Sequence, residues 1–198
     1  MKNLTLLLLA LPLAAVPAMA GPFGLNIGEP FSRLHVIQHN ADNSYRVAVP
    51  EPESEFRSYF VFMTPTDKVC KIIAAGKPHE REDTIDVFPA YVAAKSSLIR
   101  SYGKPADDLD FCKGGRGGAM FCFLGSIHGA KNVAQEIREK LLVLKTVWTG
   151  PQLSDHLEKI SLTPAAGSFH ETHLVLSFEG KDAEACPGAG SEADEEGG

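Results

Sequence analysis

The sequence predicts an α+β fold: an antiparallel sheet with helices packed on one face, stapled by disulfide bonds. Three observations predict this class. Short runs rich in β-branched and aromatic residues are separated by turn residues, which indicates hairpins. Between these runs lie segments whose apolar residues recur at helical spacing. Four cysteines complete the pattern, because exported domains of modest size often depend on disulfide bonds.

The first half of the chain predicts two helices and three strands. Residues 28–39 (GEPFSRLHVIQH) predict a short helix that begins at a proline. Residues 44–50 (SYRVAVP) alternate like a strand, and residues 56–77 predict two strands joined by a PTD turn. A longer helix is expected over residues 84–103, where apolar residues recur at helical spacing and a glycine follows.

The second half predicts two more helices and two strands. Helices are expected over residues 130–140 (AKNVAQEIREK) and 151–160 (PQLSDHLEKI). Strands are expected over residues 141–150 (LLVLKTVWTG) and 173–180 (HLVLSFEG). The acidic residues within 107–110 are interpreted as a solvated loop, because their spacing does not meet the pattern of a calcium loop.

Residues 1–20 predict a secretory signal peptide. Lys2 is followed by an apolar run (LTLLLLALPLAAV), and the small residues of AMA then stand where a signal peptidase cuts. The run is too short for a permanent membrane anchor, and no cysteine follows the cut for lipid attachment. We therefore expect a periplasmic or secreted protein without a stable membrane anchor.

The rest of the chain predicts a single domain with an acidic tail. Residues 21–187 form the expected single α+β domain, and the alternative is two small halves that meet near 104–118. Residues 188–198 hold no apolar residue larger than alanine, so we expect this tail to be disordered. The net charge of −6 argues against nucleic acid and anionic lipid as partners.

The four cysteines predict two disulfide bonds, for which three pairings are possible. Cys112 and Cys122 flank a glycine-rich loop and would close it. That pairing leaves Cys70, at the end of a strand-like run, to reach Cys186 near the C-terminus. A metal site is disfavoured because the sequence contains no C-x-x-C pair.

Residues 110–132 contain GGRGG and then FCFLGSIHGAKN. The second stretch does not meet the pattern of a nucleotide P-loop, because Ala130 separates the last glycine from Lys131 and Asn132 replaces the hydroxyl residue. We interpret the region as a disulfide-closed loop whose glycines allow tight turns, and as a candidate recognition loop. Its candidate contact residues are Gly114, Arg116 and Phe121.

Two histidine pairs are the weak candidates for a metal site. His35 and His39 are four residues apart, which on a helix places them on one face where they can share an ion. His170 and His173 would add two more ligands if the chain brought them near. The first pair lacks the glutamate of the H-E-x-x-H motif, and solvent-exposed histidines are the alternative interpretation.

Several segments together resemble a known family. They are GPFGLNIG, VCKIIAAGK, LIRSYGKP with the DF after it, VW, and LVLSFEG with a cysteine shortly after. Their order resembles a family of exported bacterial proteins without an assigned function, over most of residues 21–198. The resemblance supports pairing Cys70 with Cys186, and the glycine-rich region departs from the family pattern. A weaker likeness joins GLNIGEPFSRL and LIRSYGKP to SmpA/OmlA (BamE-like) assembly lipoproteins and to β-lactamase-inhibitor domains, which implies protein binding.

These patterns favour a non-enzymatic envelope protein that binds another protein, as an inhibitor, an immunity factor or an assembly accessory. No G-x-S-x-G elbow is present, and no cofactor is expected. Two alternatives stay open. One is a metal-binding or metal-dependent hydrolytic protein that uses the four histidines, and the other is a small-molecule carrier with a pocket between sheet and helix.

Overall fold

Eight strands form one antiparallel sheet in the computed structural model, which describes residues 21–79, 87–112, 133–140, 142–154, 156–167 and 171–187. The strands are β1 (His35–His39), β2 (Tyr45–Ala48), β3 (Phe56–Met63), β4 (Val69–Gly76), β5 (Asp107–Cys112), β6 (Leu142–Thr149), β7 (Leu157–Ala166) and β8 (Thr172–Gly180). The helices are α1 (Val87–Tyr102) and α2 (Val133–Arg138), with short 3₁₀ turns elsewhere. None of these helices is long and apolar enough to cross a membrane.

The sheet consists of two four-stranded meanders joined side by side. The strand order is β1-β2-β3-β4-β8-β7-β6-β5, so the two meanders meet where β4 pairs with β8. The connection that contains α1 leads from β4 at the centre to β5 at the far edge. Among the described strands, β1 and β5 therefore lie at the two edges, where β1 pairs with β2 and β5 pairs with β6.

Two hairpin turns of the first meander depend on short polar residues in a left-handed backbone conformation. Asp67 (φ 56°) lies in the turn between β3 and β4, and Asn43 (φ 62°) lies in the turn between β1 and β2. Asp and Asn tolerate this conformation better than other non-glycine residues. The predicted PTD hairpin is therefore confirmed, and Thr64 N donates to Lys68 O across its turn at 2.8 Å.

The main core lies between one face of the sheet and the helices. Alternate residues of the central strands face this side and are almost fully buried, as their period of two requires. They include Val61, Ile72, Trp148, Ile160, Leu162, Leu174 and Phe178. From the helices, α1 contributes Tyr91 and Leu98, and α2 contributes Val133. The indole of Trp148 donates to the carbonyl of Gly103 (2.9 Å), which fixes the end of α1 against the sheet.

The α+β class predicted from the sequence is wrong, because strands dominate the fold. Strands account for 44% of the described residues and helices of all kinds for 23%. The helix predicted over 28–39 is a 3₁₀ turn (Phe31–Arg33) followed by β1. No helix is observed in the described part of 151–160, and its last residues begin β7 (Leu157–Ala166). The acidic stretch 107–110 is part of the edge strand β5. In each case pairing with another strand of the sheet overrides the local preference.

Candidate functional site

His35 and His39 do not share a face. Both lie in β1, and the register of β1 against β2 shifts between Val36 and Gln38. His35 pairs with Ala48 and His39 with Tyr45, and these partners project from opposite faces of β2. The spacing of four that would align two histidines on a helix therefore separates them here. His39 instead stacks on the Tyr45 ring, with the ring centroids 4.4 Å apart.

His173 lies far from the β1 histidines. It is half-buried on β8, and three strands stand between β8 and β1. Four inter-strand spacings amount to about 19 Å, which is too far for shared metal ligands. His170 falls outside the described residues. Within the part of the chain that the structure describes, no group of three or more His, Cys, Asp or Glu side chains is placed to hold a metal ion.

Cys70 and Cys186 form a disulfide bond, which confirms that predicted pair. Their Cα atoms are 6.3 Å apart, within the range that a disulfide spans. The bond ties the segment after β8 to β4, and both cysteines pack with Phe62 and Ile73 in a small cluster separate from the main core. Cys122 lies outside the described residues, so the expected bond between Cys112 and Cys122 stays a prediction. The same holds for the candidate recognition residues Gly114, Arg116 and Phe121.

Among the described residues, an apolar cleft lies beside α1. It has a volume of about 220 Å³ and lies between α1, β5 and β6. We call it the α1 cleft, and its lining consists of Phe88, Tyr91, Val92, Lys95, Ser96, Ile99, Asp108 and Leu144. Val92 is 44% exposed and Ile99 39% exposed, which are high values for branched apolar side chains on a helix that packs on a core.

A hydrogen-bond network forms the polar side of the α1 cleft. Thr146 Oγ1 donates to Asp108 Oδ1 (2.9 Å), and Lys95 Nζ donates to the same oxygen (2.6 Å). Because the single Thr146 proton is used in that bond, the Tyr91 hydroxyl is the donor in its contact with Thr146. Tyr91 and Thr146 are buried, and so the network holds α1 in a fixed position against β5 and β6.

The sequence of α1 contains a second apolar stripe, which could have indicated this cleft. Tyr91 and Leu98 mark the stripe of α1 that packs on the core. Phe88, Val92 and Ile99 form a second apolar stripe, since they recur at spacings of four and seven. A helix with two adjacent apolar stripes either packs on two surfaces or exposes one of them. The structure shows that the second stripe borders an open cleft.

The opposite face of the sheet carries a half-buried charge cluster. Glu179 Oε1 lies 3.4 Å from Lys71 Nζ, and Glu179 Oε2 lies 3.1 Å from Lys159 Nζ. Burial alone would raise the pKa of Glu179, but the attraction of Lys71 and the interactions with Lys159 together lower it. The Lys71 side chain is only 6% exposed. This cluster satisfies charges at the junction of β4, β7 and β8, and we assign it a structural role.

Comparison with known proteins does not identify this chain: it matches no protein-family model, no curated protein sequence and no solved structure. The resemblance to exported bacterial proteins and the weaker likeness to assembly lipoproteins and β-lactamase-inhibitor domains therefore stay predictions.

Proposed function

We propose that the protein is a protein-binding module of the bacterial envelope, and that the α1 cleft receives an apolar side chain of its partner. The single observation that carries this proposal is the open apolar cleft with Val92 and Ile99 exposed at its border. Exposed apolar residues that surround a pocket are typical of protein-interaction sites.

The size of the cleft supports a protein partner over a free small molecule. Pockets that enclose drug-sized ligands have volumes of roughly 300–1,000 Å³. The α1 cleft, at about 220 Å³, is below this range. A single anchoring side chain from a partner is a better match, because interaction hot spots commonly insert one large apolar group into a pocket. The ion pair of Lys95 and Asp108 provides the polar edge that such sites have.

The disulfide bond supports the envelope location. Disulfide bonds persist in oxidising compartments such as the periplasm and the cell exterior, and they are rare in the cytosol. The bond between Cys70 and Cys186 is buried at both ends, where it stabilises the fold and is poorly placed for exchange. This agrees with the predicted signal peptide at residues 1–20.

A comparison of two matched variants tests the proposal. Ile99→Asp places a charge at the border of the α1 cleft, whereas Ala93→Asp places the same charge on an exposed position of α1 that does not line it. Each variant and the wild-type protein are used for affinity capture from the envelope fraction of the native host. We expect one protein to be captured by wild type and Ala93→Asp and to be lost with Ile99→Asp. Equal capture by all three would contradict the proposal.

A further inference from the structure

A second cleft lies on the face of the sheet opposite to α1. The pairing register places Arg46 beside Phe60, Ser58 beside Ala75, and Ala75 beside Val175. His173 is two residues before Val175 and projects from the same face. Arg46, Ser58, Ala75 and His173 thus share one face across β2, β3, β4 and β8, with the small side chains in the middle. The resulting shallow cleft has a volume of about 310 Å³, and Arg57 also lines it.

The charge in this cleft is positive although the whole chain has a net charge of −6. Among the described residues, its lining includes two guanidinium groups and no carboxylate. Within the described residues, the ion pairs and side-chain hydrogen bonds do not involve Arg46 or Arg57. The nearby carboxylate of Glu55 lies 3.6 Å from His79, outside the lining. Two unneutralised arginines at one cleft are therefore available to an external anion.

From these observations we propose that the cleft of Arg46, Arg57, Ser58 and His173 binds a small molecule through an oxyanion group, a phosphate or a carboxylate. The planar guanidinium group matches both oxyanions with two parallel hydrogen bonds. The Ser58 hydroxyl and the His173 ring offer further donors beside small floor residues, which leave room for the anion. The volume of about 310 Å³ falls at the lower end of the range for ligand pockets.

The arginines supply the charge at neutral pH. Burial lowers the pKa of His173, the neighbouring Glu171 opposes this effect, and His79 adds to it. The imidazole is therefore neutral at pH 7 and contributes a hydrogen bond instead of a charge. Replacement of the two arginines should thus remove most of the attraction, and replacement of His173 should remove less.

Calorimetric titration tests this proposal with the oxidised wild-type protein, using sodium phosphate and sodium citrate as separate probes at constant ionic strength. We expect saturable binding of at least one probe. Phosphate alone would indicate a phosphorylated ligand, citrate alone would indicate a carboxylate ligand, and both together would support the shared oxyanion chemistry. The absence of saturable binding of both probes to the wild-type protein would overturn the proposal.

Variants then place the binding in this cleft. Arg46→Gln/Arg57→Gln should weaken binding at least about tenfold, as the loss of charge-assisted hydrogen bonds predicts. Arg100→Gln, an exposed arginine on α1, is the control with the same chemical change and should bind like wild type. Arg46→Lys/Arg57→Lys keeps the charge, so its affinity should lie between that of wild type and that of the double glutamine variant. Equal affinity of the double glutamine variant and wild type would overturn the assignment. Ile99→Asp should retain anion binding, which separates this proposal from the one for the α1 cleft.

Discussion

Removal of the Cys70–Cys186 disulfide bond should cost a large part of the stability of the fold. The bond joins cysteines 116 positions apart. The loss of chain entropy in the unfolded state predicts about 5 kcal/mol for a loop of that length. Since domains are typically stable by only about 5–15 kcal/mol, the variant Cys70→Ala/Cys186→Ala should be close to the limit of folding.

Urea unfolding followed by Trp148 fluorescence measures this effect, because the indole is fully buried in the folded state. With a slope of about 2.5 kcal/mol per molar urea, the unfolding midpoint should fall by about 2 M in the double variant. A shift below about 0.4 M, which corresponds to about 1 kcal/mol, would refute the reasoning. Addition of a reductant to the double variant then tests the predicted bond between Cys112 and Cys122, which should contribute a further 2–3 kcal/mol, approximately.

Three other changes test how the sheet is held together. Glu179→Gln should destabilise the fold by about 3 kcal/mol, because the half-buried carboxylate that pairs with both Lys71 and Lys159 is removed. Glu179 has a lowered folded-state pKa, so its stabilisation is present above the unfolded value near 4.5 and is lost as the pH falls through the folded value. Urea unfolding from about pH 7 to about pH 3 should show that loss in wild type and not in the variant. Tyr91→Phe should cost about 1 kcal/mol in the same assay, since a buried hydrogen bond is removed. Gly76→Ala should lower the melting temperature and cost more than about 1 kcal/mol, because its Cβ would lie 2.9 Å from Leu174 N.

Elements with strong local signals could be predicted from the sequence. The hairpin of β3 and β4 has a turn that suits Asp67, and α1 has a full helical repeat that ends at a glycine in a left-handed conformation (Gly103, φ 78°). Trp148 lies in the strand predicted over residues 141–150 and is fully buried. These features depend on residues close together in the chain, and tertiary contacts only reinforce them.

The mistaken elements depend on pairing with other strands of the sheet. Residues 151–160 favour a helix by composition, but β7 is paired on both sides, with β6 and with β8. Before β1, the apolar spacing of Phe31 and Leu34 fits an α-helical turn as well as the 3₁₀ turn that these residues form. Charged residues in β5 suggested a loop, whereas they are compatible with a strand at the edge of the described part of the sheet.

Neither cleft could be predicted from the sequence, for the same reason. The second apolar stripe of α1 was visible in the sequence, but the cleft beside it depends on how α1 packs against β5 and β6, where Tyr91 bonds to Thr146. Arg46 and His173 are far apart in the chain, and they line one cleft because β4 pairs with β8. Periodicity within a segment cannot reveal which strands become neighbours, and so it cannot reveal either site.

Photo-crosslinking at position 99 tests the protein-binding proposal most directly. A benzoylphenylalanine replaces Ile99 at the border of the α1 cleft, and the control replaces Ala93 on the exposed side of α1. After irradiation of intact cells of the native host, the products are identified by mass spectrometry. The proposal predicts one dominant envelope protein attached at position 99 and none at position 93. No product at position 99, or the same products at both positions, would contradict it.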